Sequence, residues 1–192
     1  ALTHCIVAYT VQLHQPITDA LALKGISMIA ENLEKAYENG EDREARRNMM
    51  IASTIGGMAF ISSNVGAVHA FAETVGAWFD TPHGVANSLF LPYIMEFNIP
   101  ACPERFADIA DAMGIEREES MSDEQYALKA VEYVKALNRK LNIPTIKEIK
   151  GITEERFEAI AERSANNVLS NDNARKITKE DYLELLKKAY NE

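Results

Sequence analysis

Cysteine is scarce in this chain: Cys5 and Cys102 are the only two among 192 residues. Two thiols so far apart cannot build a disulfide framework or a cysteine-rich zinc site, and a reducing cytoplasm fits best. Long hydrophobic runs are missing as well. No stretch approaches the roughly 20 apolar residues that a bilayer span requires, so no membrane partner is expected. Positive charge is short, with 20 Lys and Arg against 29 Asp and Glu and a net charge of −9. The basic footprint that nucleic-acid binding needs is therefore absent. The acidic excess collects at Glu38–Glu44 and Glu116–Glu124, which read as solvated helix ends and linkers. Alternating apolar and polar segments are lacking too, and no internal repeat is present. What remains is an ordinary globular mixture, long enough for one domain with a real core.

Helical spacing fills the chain. Leu23, Ile26, Ala30, Leu33 and Tyr37 mark one buried face between Asp19 and Asn39, started by Pro16, Thr18 and Asp19 and stopped by Asn39-Gly40. A second helix is expected from Arg43 to Ser62, apolar nearly all round, central in a bundle, with Gly56-Gly57 admitting a close neighbour. A third should cover Val65–Val75 and end at Gly76. A fourth begins at His83-Gly84 and runs toward Phe97, with a kink or break at Pro92. Further helices are expected at Pro103–Met113, Asp123–Leu141, Glu154–Val168 and Lys179–Ala189, with Ser122 and Thr178 as N-caps. Asn166–Asn173 reads as a loop or frayed end. Ala1–Tyr9 has the character of a helix interior without a cap, so a piece of a longer chain is expected. The fold class is all-α, a single helical domain over 1–192 of seven to eight helices.

The segment Asn64–Asn98 holds two of only four histidines, His69 and His83, among small and apolar residues. Imidazole ligates divalent transition metals and is easily poised near neutral pH. The two lie on different helices joined by a turn, and His4 lies on another. Three imidazoles plus one oxygen ligand would make a competent site for Fe²⁺ or Zn²⁺. The spacing leaves a second reading open, in which each histidine is a hydrogen-bonded core residue of a non-catalytic helical module. His14, beside Gln15 and Pro16, reads as surface. Glu73 stands one turn after His69 on the same helix. There it is either salt-bridged to a neighbouring helix or used with a metal or a proton, because an unpaired carboxylate on an apolar helix is costly. Trp78, Phe79, Phe90 and Phe97 read as core.

Taken together, GMAF, VGAVHAFAETVG and DTPHGVANSLFLPYIMEFN resemble the helical half of the iron-containing (group III) alcohol dehydrogenases. The family pattern is GxAFxNxxLGxxHAxAHxLG followed by PHGxANAxLLPxVxxFN. The likeness extends over the whole chain, from ALTHCIVAY and PITDALAL to NDNARKITKEDYLELLKKAY. It implies a multi-helix bundle of the dehydroquinate synthase-like C-terminal type, belonging to a two-domain parent whose N-terminal α/β half binds NAD or NADP. It also implies that a divalent metal is held by one Asp and three His, the histidines being His4, His69 and His83. The Asp would directly precede Ala1, so a weakened site is expected in this chain alone.

The same resemblance puts Phe60 and Leu169 in the substrate pocket, for a small alcohol, diol or aldehyde, and implies homo-oligomers. A zinc-dependent relative acting on polyols is the variant reading. Three positions depart from the family pattern. Glu73 replaces the second His of H-x-x-x-H, a position given a proton-relay role and so the catalytic candidate here. Val7 replaces a Glu, and Asn173-Ala174-Arg175 replaces Asn-Pro-Arg.

Overall fold

A computed structural model describes residues Ala1–Glu192 and contains helices and turns only. In chain order the α-helices are α1 (Leu2–Thr10), α2 (Pro16–Glu38), α3 (Arg43–Ser63), α4 (Ala67–Phe79), α5 (His83–Asn98), α6 (Pro103–Ala112), α7 (Asp123–Lys140), α8 (Phe157–Ala165) and α9 (Lys179–Asn191). Short 3₁₀ turns lie at Ile99–Ala101, Ile146–Glu148, Glu154–Arg156 and Val168–Asp172. The all-α expectation holds, with nine helices rather than seven or eight. No single helix is long and apolar enough to cross a bilayer.

Local chemistry sets most of the helix ends. Ser122 with Gln125 and Thr178 with Asp181 form reciprocal N-terminal boxes on α7 and α9. Helix α2 begins three residues earlier than the spacing predicts, because Gln15 caps it in a reciprocal pair with Thr18 and Pro16 occupies its first turn. Helix α4 does not stop at Gly76. It continues to Phe79 and closes at Asp80, whose φ of 50° is left-handed. The segment expected as one helix over Glu154–Val168 opens as a 3₁₀ turn and leaves α-geometry at Ala165. There the Asn167 side chain accepts from the Leu169 N–H and draws the backbone into a second turn.

Pro92 does not break α5, which runs unbroken from His83 to Asn98. A proline removes the N–H that would bond the carbonyl four residues back, here that of Ser88. The Asn138 side-chain amide of α7 donates to that carbonyl at 2.6 Å and takes the place of the missing bond. The continuity of α5 is therefore supplied by its neighbour.

Helix α1 lies at the centre, with Cys5, Ile6, Val7, Ala8 and Tyr9 all buried. Val7, the departure from the family's Glu, is thus a core side chain. Cys5 Sγ sits 2.6 Å from where a Cβ on Gly25 would stand and 3.0 Å from one on Gly56. The two glycines, on α2 and α3, let both helices close on α1. Gly57 meets nothing within 4 Å, so only one member of the glycine pair serves a close approach. Helix α3 is not central either. It buries Ala52, Gly56, Ala59 and Ser63, and turns Met50 (73% exposed), Ile51, Met58 and Ile61 (80%) outward. Farther along, Phe90 stacks on Phe71 at 4.3 Å and Tyr182 meets Phe71 edge-on. Phe90 is core as expected, Phe79 and Phe97 are half-buried, and Trp78 is exposed.

Two stability outcomes follow from this packing. Gly25→Ala overfills the Cys5 site and lowers stability by about 1–3 kcal/mol; in a Cys5→Ala background the same change costs clearly less, as urea melts of the double-mutant cycle will show. Asn138→Leu strands the Ser88 carbonyl and costs about 1–3 kcal/mol. Adding Pro92→Ala, which restores an N–H to that carbonyl, recovers part of it, and equal penalties in both backgrounds would contradict the compensation.

Candidate metal centre

Three helices deliver one imidazole each. His4 directly precedes the packed Cys5 on α1 and so inherits the fixed position of that helix. His69 stands in the first turn of α4, whose start carries no cap from its own side chains. The cap comes from far along the chain: Asn173 Oδ1 accepts from the Ala67 N–H at 3.3 Å. Gly66 permits it, since a Cβ there would lie 2.9 Å from that oxygen. Asn173 also exchanges hydrogen bonds with Asn98 at the end of α5, at 2.7 and 3.1 Å, with both residues buried. One amide pair thereby ties the beginning of α4 to the end of α5. His83 is the first residue of α5, placed by the left-handed Asp80 and by Thr81-Pro82.

The rings converge. Their centroids are 4.9 Å apart for His4 and His69, 5.5 Å for His69 and His83, and 6.0 Å for His4 and His83. One ligand nitrogen from each lies within 4.8 Å of the others. A single point then lies within about 2.8 Å of all three (4.8/√3), against the 2.0–2.1 Å of a zinc–imidazole bond, so the rings need close by only about 0.7 Å. His4 is half-buried, His69 buried and His83 exposed, which leaves the last ring freest to adjust.

His69 is 3% exposed, yet neither of its ring nitrogens has a hydrogen-bond partner within the chain. A structural core histidine would be bonded, so the hydrogen-bonded reading fails for the ring at the heart of the cluster. Burial pushes His69 down to about 3, helped by repulsion from His4 and His83 and by the chain's amino group. Burial likewise pushes His4 down to about 4, with the amino group and His83 contributing. Both rings are neutral at physiological pH, the form that donates a lone pair to a metal. The residues present thus fit a divalent iron or zinc ion as three of its ligands.

The surroundings are partly apolar. Phe60 stacks on His4 with centroids 4.4 Å apart. Leu169 is half-buried on the Val168–Asp172 turn. Glu73 is exposed and makes no salt bridge; its carboxylate accepts from the Asn167 side-chain amide at 2.7 Å. It lies outside the histidine cluster. The burial cost foreseen for it does not arise, because its side of α4 faces outward. His14 is exposed, 3.4 Å from Asp19, and takes no part. The spacing gave no hint of Asn87, whose amide donates to the His83 carbonyl at 3.0 Å and sits 3.1 Å from its Nε2. Its place one turn after His83 on α5 was the available signal. Asn173 was legible only as part of an asparagine-rich stretch.

Residues 1–190 match the Fe-containing alcohol dehydrogenase family, C-terminal. The chain is 41% identical over 193 aligned residues to alcohol dehydrogenase 4 of Saccharomyces cerevisiae, covering 99% of this chain and 48% of that protein. It is 38% identical to the NADPH-dependent butanol dehydrogenase of Clostridium saccharobutylicum, covering 99% and 49%. An alcohol dehydrogenase from Oenococcus oeni superposes with a TM-score of 0.94 at 37% identity, covering 98% and 49%. The chain thus spans about half the length of the relatives it matches.

Because the folded pKa values of His4 and His69 lie below the ordinary imidazole value, the unfolded chain binds more protons between about pH 6.5 and 4. Stability of the metal-free protein is therefore present above pH 6.5 and falls as acid is added through that window. His69→Leu flattens the fall, which urea midpoints at about pH 7 and about pH 5 will measure. An identical slope in the variant would mean that His69 takes up protons while folded.

Proposed function

The chain belongs to the iron-containing alcohol dehydrogenase family, as its C-terminal part, and on that premise we propose that it is the metal-binding half of an NAD(P)-dependent alcohol dehydrogenase or aldehyde reductase. One observation carries this reading: His4, His69 and His83 meet from three helices with ligand atoms within 4.8 Å, and the buried His69 has no other partner. In this reading the three imidazoles hold divalent iron, with zinc the next ion the same donors would take. When bound, the ion would supply Lewis acidity at the alcohol or carbonyl oxygen, and a nicotinamide nucleotide held by an N-terminal half would supply the hydride chemistry.

This chain's residues do the positioning. Phe60, stacked on His4, presents an apolar side to the substrate carbon chain and keeps water from it. Leu169 supplies a second apolar side from the Val168–Asp172 turn. Between them a small primary alcohol or diol is the substrate we assign. Glu73, one turn after His69 and held by Asn167, carries the alcohol's proton outward to solvent. The outward stripe of Ile51, Met58 and Ile61 on α3, the helix that bears Phe60, is where the nucleotide-binding half docks.

The full-length parent, loaded with Fe²⁺ without oxygen, is expected to form NAD(P)H from small primary alcohols or diols, whereas this 192-residue chain alone turns over none. His69→Ala lowers kcat/KM by more than about 100-fold along with bound metal. Glu73→Gln slows kcat by about 100-fold and alters its pH profile while metal content stays unchanged. Inactivity of the metal-loaded parent across a broad panel of alcohols and aldehydes would overturn the assignment.

A further inference from the structure

The metal centre opens on one side into a cavity of about 200 Å³ lined by His4, His83 and Asn87. Leu33 and Met49 line this cavity, and both also line a larger groove of about 590 Å³ between α2 and α3. The groove is apolar along Leu33, Met49 and Met50 and is edged by Arg43, Arg46 and Arg47.

Three features of these arginines are unusual. They occupy the first two turns of α3, where the helix dipole disfavours cations. Arg43 stands three residues before Arg46 and four before Arg47, so it repels both. No carboxylate lies within ion-pair distance of any of them, in a chain with nine more acids than bases. Of the nearby carboxylates, Asp42 caps α3 by accepting from the Ala45 N–H and Glu34 and Glu38 pair with Lys140, while Glu41 and Glu44 are exposed and reach none of the three guanidiniums. Three guanidiniums and an apolar floor are thus left facing one groove that leads toward the metal centre.

We propose that this groove takes the far end of a second class of substrate, an alcohol or aldehyde whose apolar chain ends in a carboxylate or phosphate. The inference rests on the alcohol dehydrogenase reading and adds these longer, anion-ended alcohols to the small alcohols and diols assigned to the same site. Arg46 lies one turn from Met49, about 4.5 Å along the helix, and Arg43 two turns, about 9 Å. A chain of medium length, on the order of ten carbons, spans that reach with its hydroxyl in the cavity of His4 and His83. Guanidinium forks bind carboxylate and phosphate alike, so both anions belong to the class.

The test uses the 192-residue chain and four probes: decan-1-ol, 10-hydroxydecanoate, 10-hydroxydecyl phosphate and decanoate. By calorimetry, without metal, the two hydroxylated anions bind at least about tenfold tighter than decan-1-ol, and added salt erodes the difference. The triple variant Arg43→Gln, Arg46→Gln, Arg47→Gln removes the preference and leaves decan-1-ol binding unchanged; the side chains are exposed, so the fold tolerates it. Stronger binding of one anion than the other names which of the two the groove prefers, and either result supports it. With Co²⁺ added, 10-hydroxydecanoate shifts the visible absorption and decanoate does not. Equal binding of alcohol and anions, or a preference that survives the triple change, overturns the inference, as does a Co²⁺ spectrum indifferent to a hydroxy acid that binds. A chain that takes up no Co²⁺ counts against the metal reading alone, because the groove's discrimination is measured without metal.

Discussion

The arrangement of this domain depends on one close approach, that of α1 to α2 and α3 at Cys5. The thiol occupies the space that side chains on Gly25 and Gly56 would fill. With those positions bare, α1 sinks between its neighbours until nearly its whole surface is covered, and its apolar residues from Cys5 to Tyr9 become the middle of the core. Burial at this depth raises the Cys5 thiol to about 11, so the sulfur packs as a small hydrophobe. His4 precedes it on the same rigid helix. The position of the first imidazole is therefore set by packing.

Polar clamps fix the other two. Asn173 reaches back from the C-terminal segment to cap α4, and its paired amide with Asn98 holds the end of α5 in the same grip. Buried amides are stabilising only when both of their hydrogen-bonding halves are satisfied, and this pair satisfies itself. The Asn138 bond to the carbonyl freed by Pro92 performs a comparable service in the middle of α5. Against that background of well-satisfied polar groups, the buried and unpartnered His69 stands apart. The other buried side-chain atom without a partner is Asn87 Oδ1, one turn after His83, so both exceptions lie at the histidine cluster.

The resemblance in the amino-acid pattern reached far. Helix ends marked by Ser122 and Thr178 lay where the capping chemistry put them, because a cap is a contact within four residues. The three histidines that the motifs single out converge. Errors gathered where a distant residue overrules a local rule. Pro92 reads as a kink or break because its partner on α7 cannot be seen from α5, and the helix nonetheless runs on. Gly76 was read as a stop although the chain passes so close that a Cβ would meet the Thr81 carbonyl at 3.2 Å, which is a reason for glycine unrelated to termination. Helix α3 was placed at the centre because hydrophobicity does not say whether its cover belongs to the same domain.

By itself, then, the sequence determined what short-range forces control: helical content, most of the caps, the absence of strands, and which imidazoles are candidates. The tertiary structure alone decided that those imidazoles meet, that Glu73 faces outward to Asn167, and that the groove of the three arginines adjoins the histidine cavity through Leu33 and Met49. The reason is physical. Capping and periodicity act over a turn or two, whereas the place of a helix is chosen by side chains that touch it from elsewhere in the chain, such as Cys5 against Gly25 and Asn173 against Ala67.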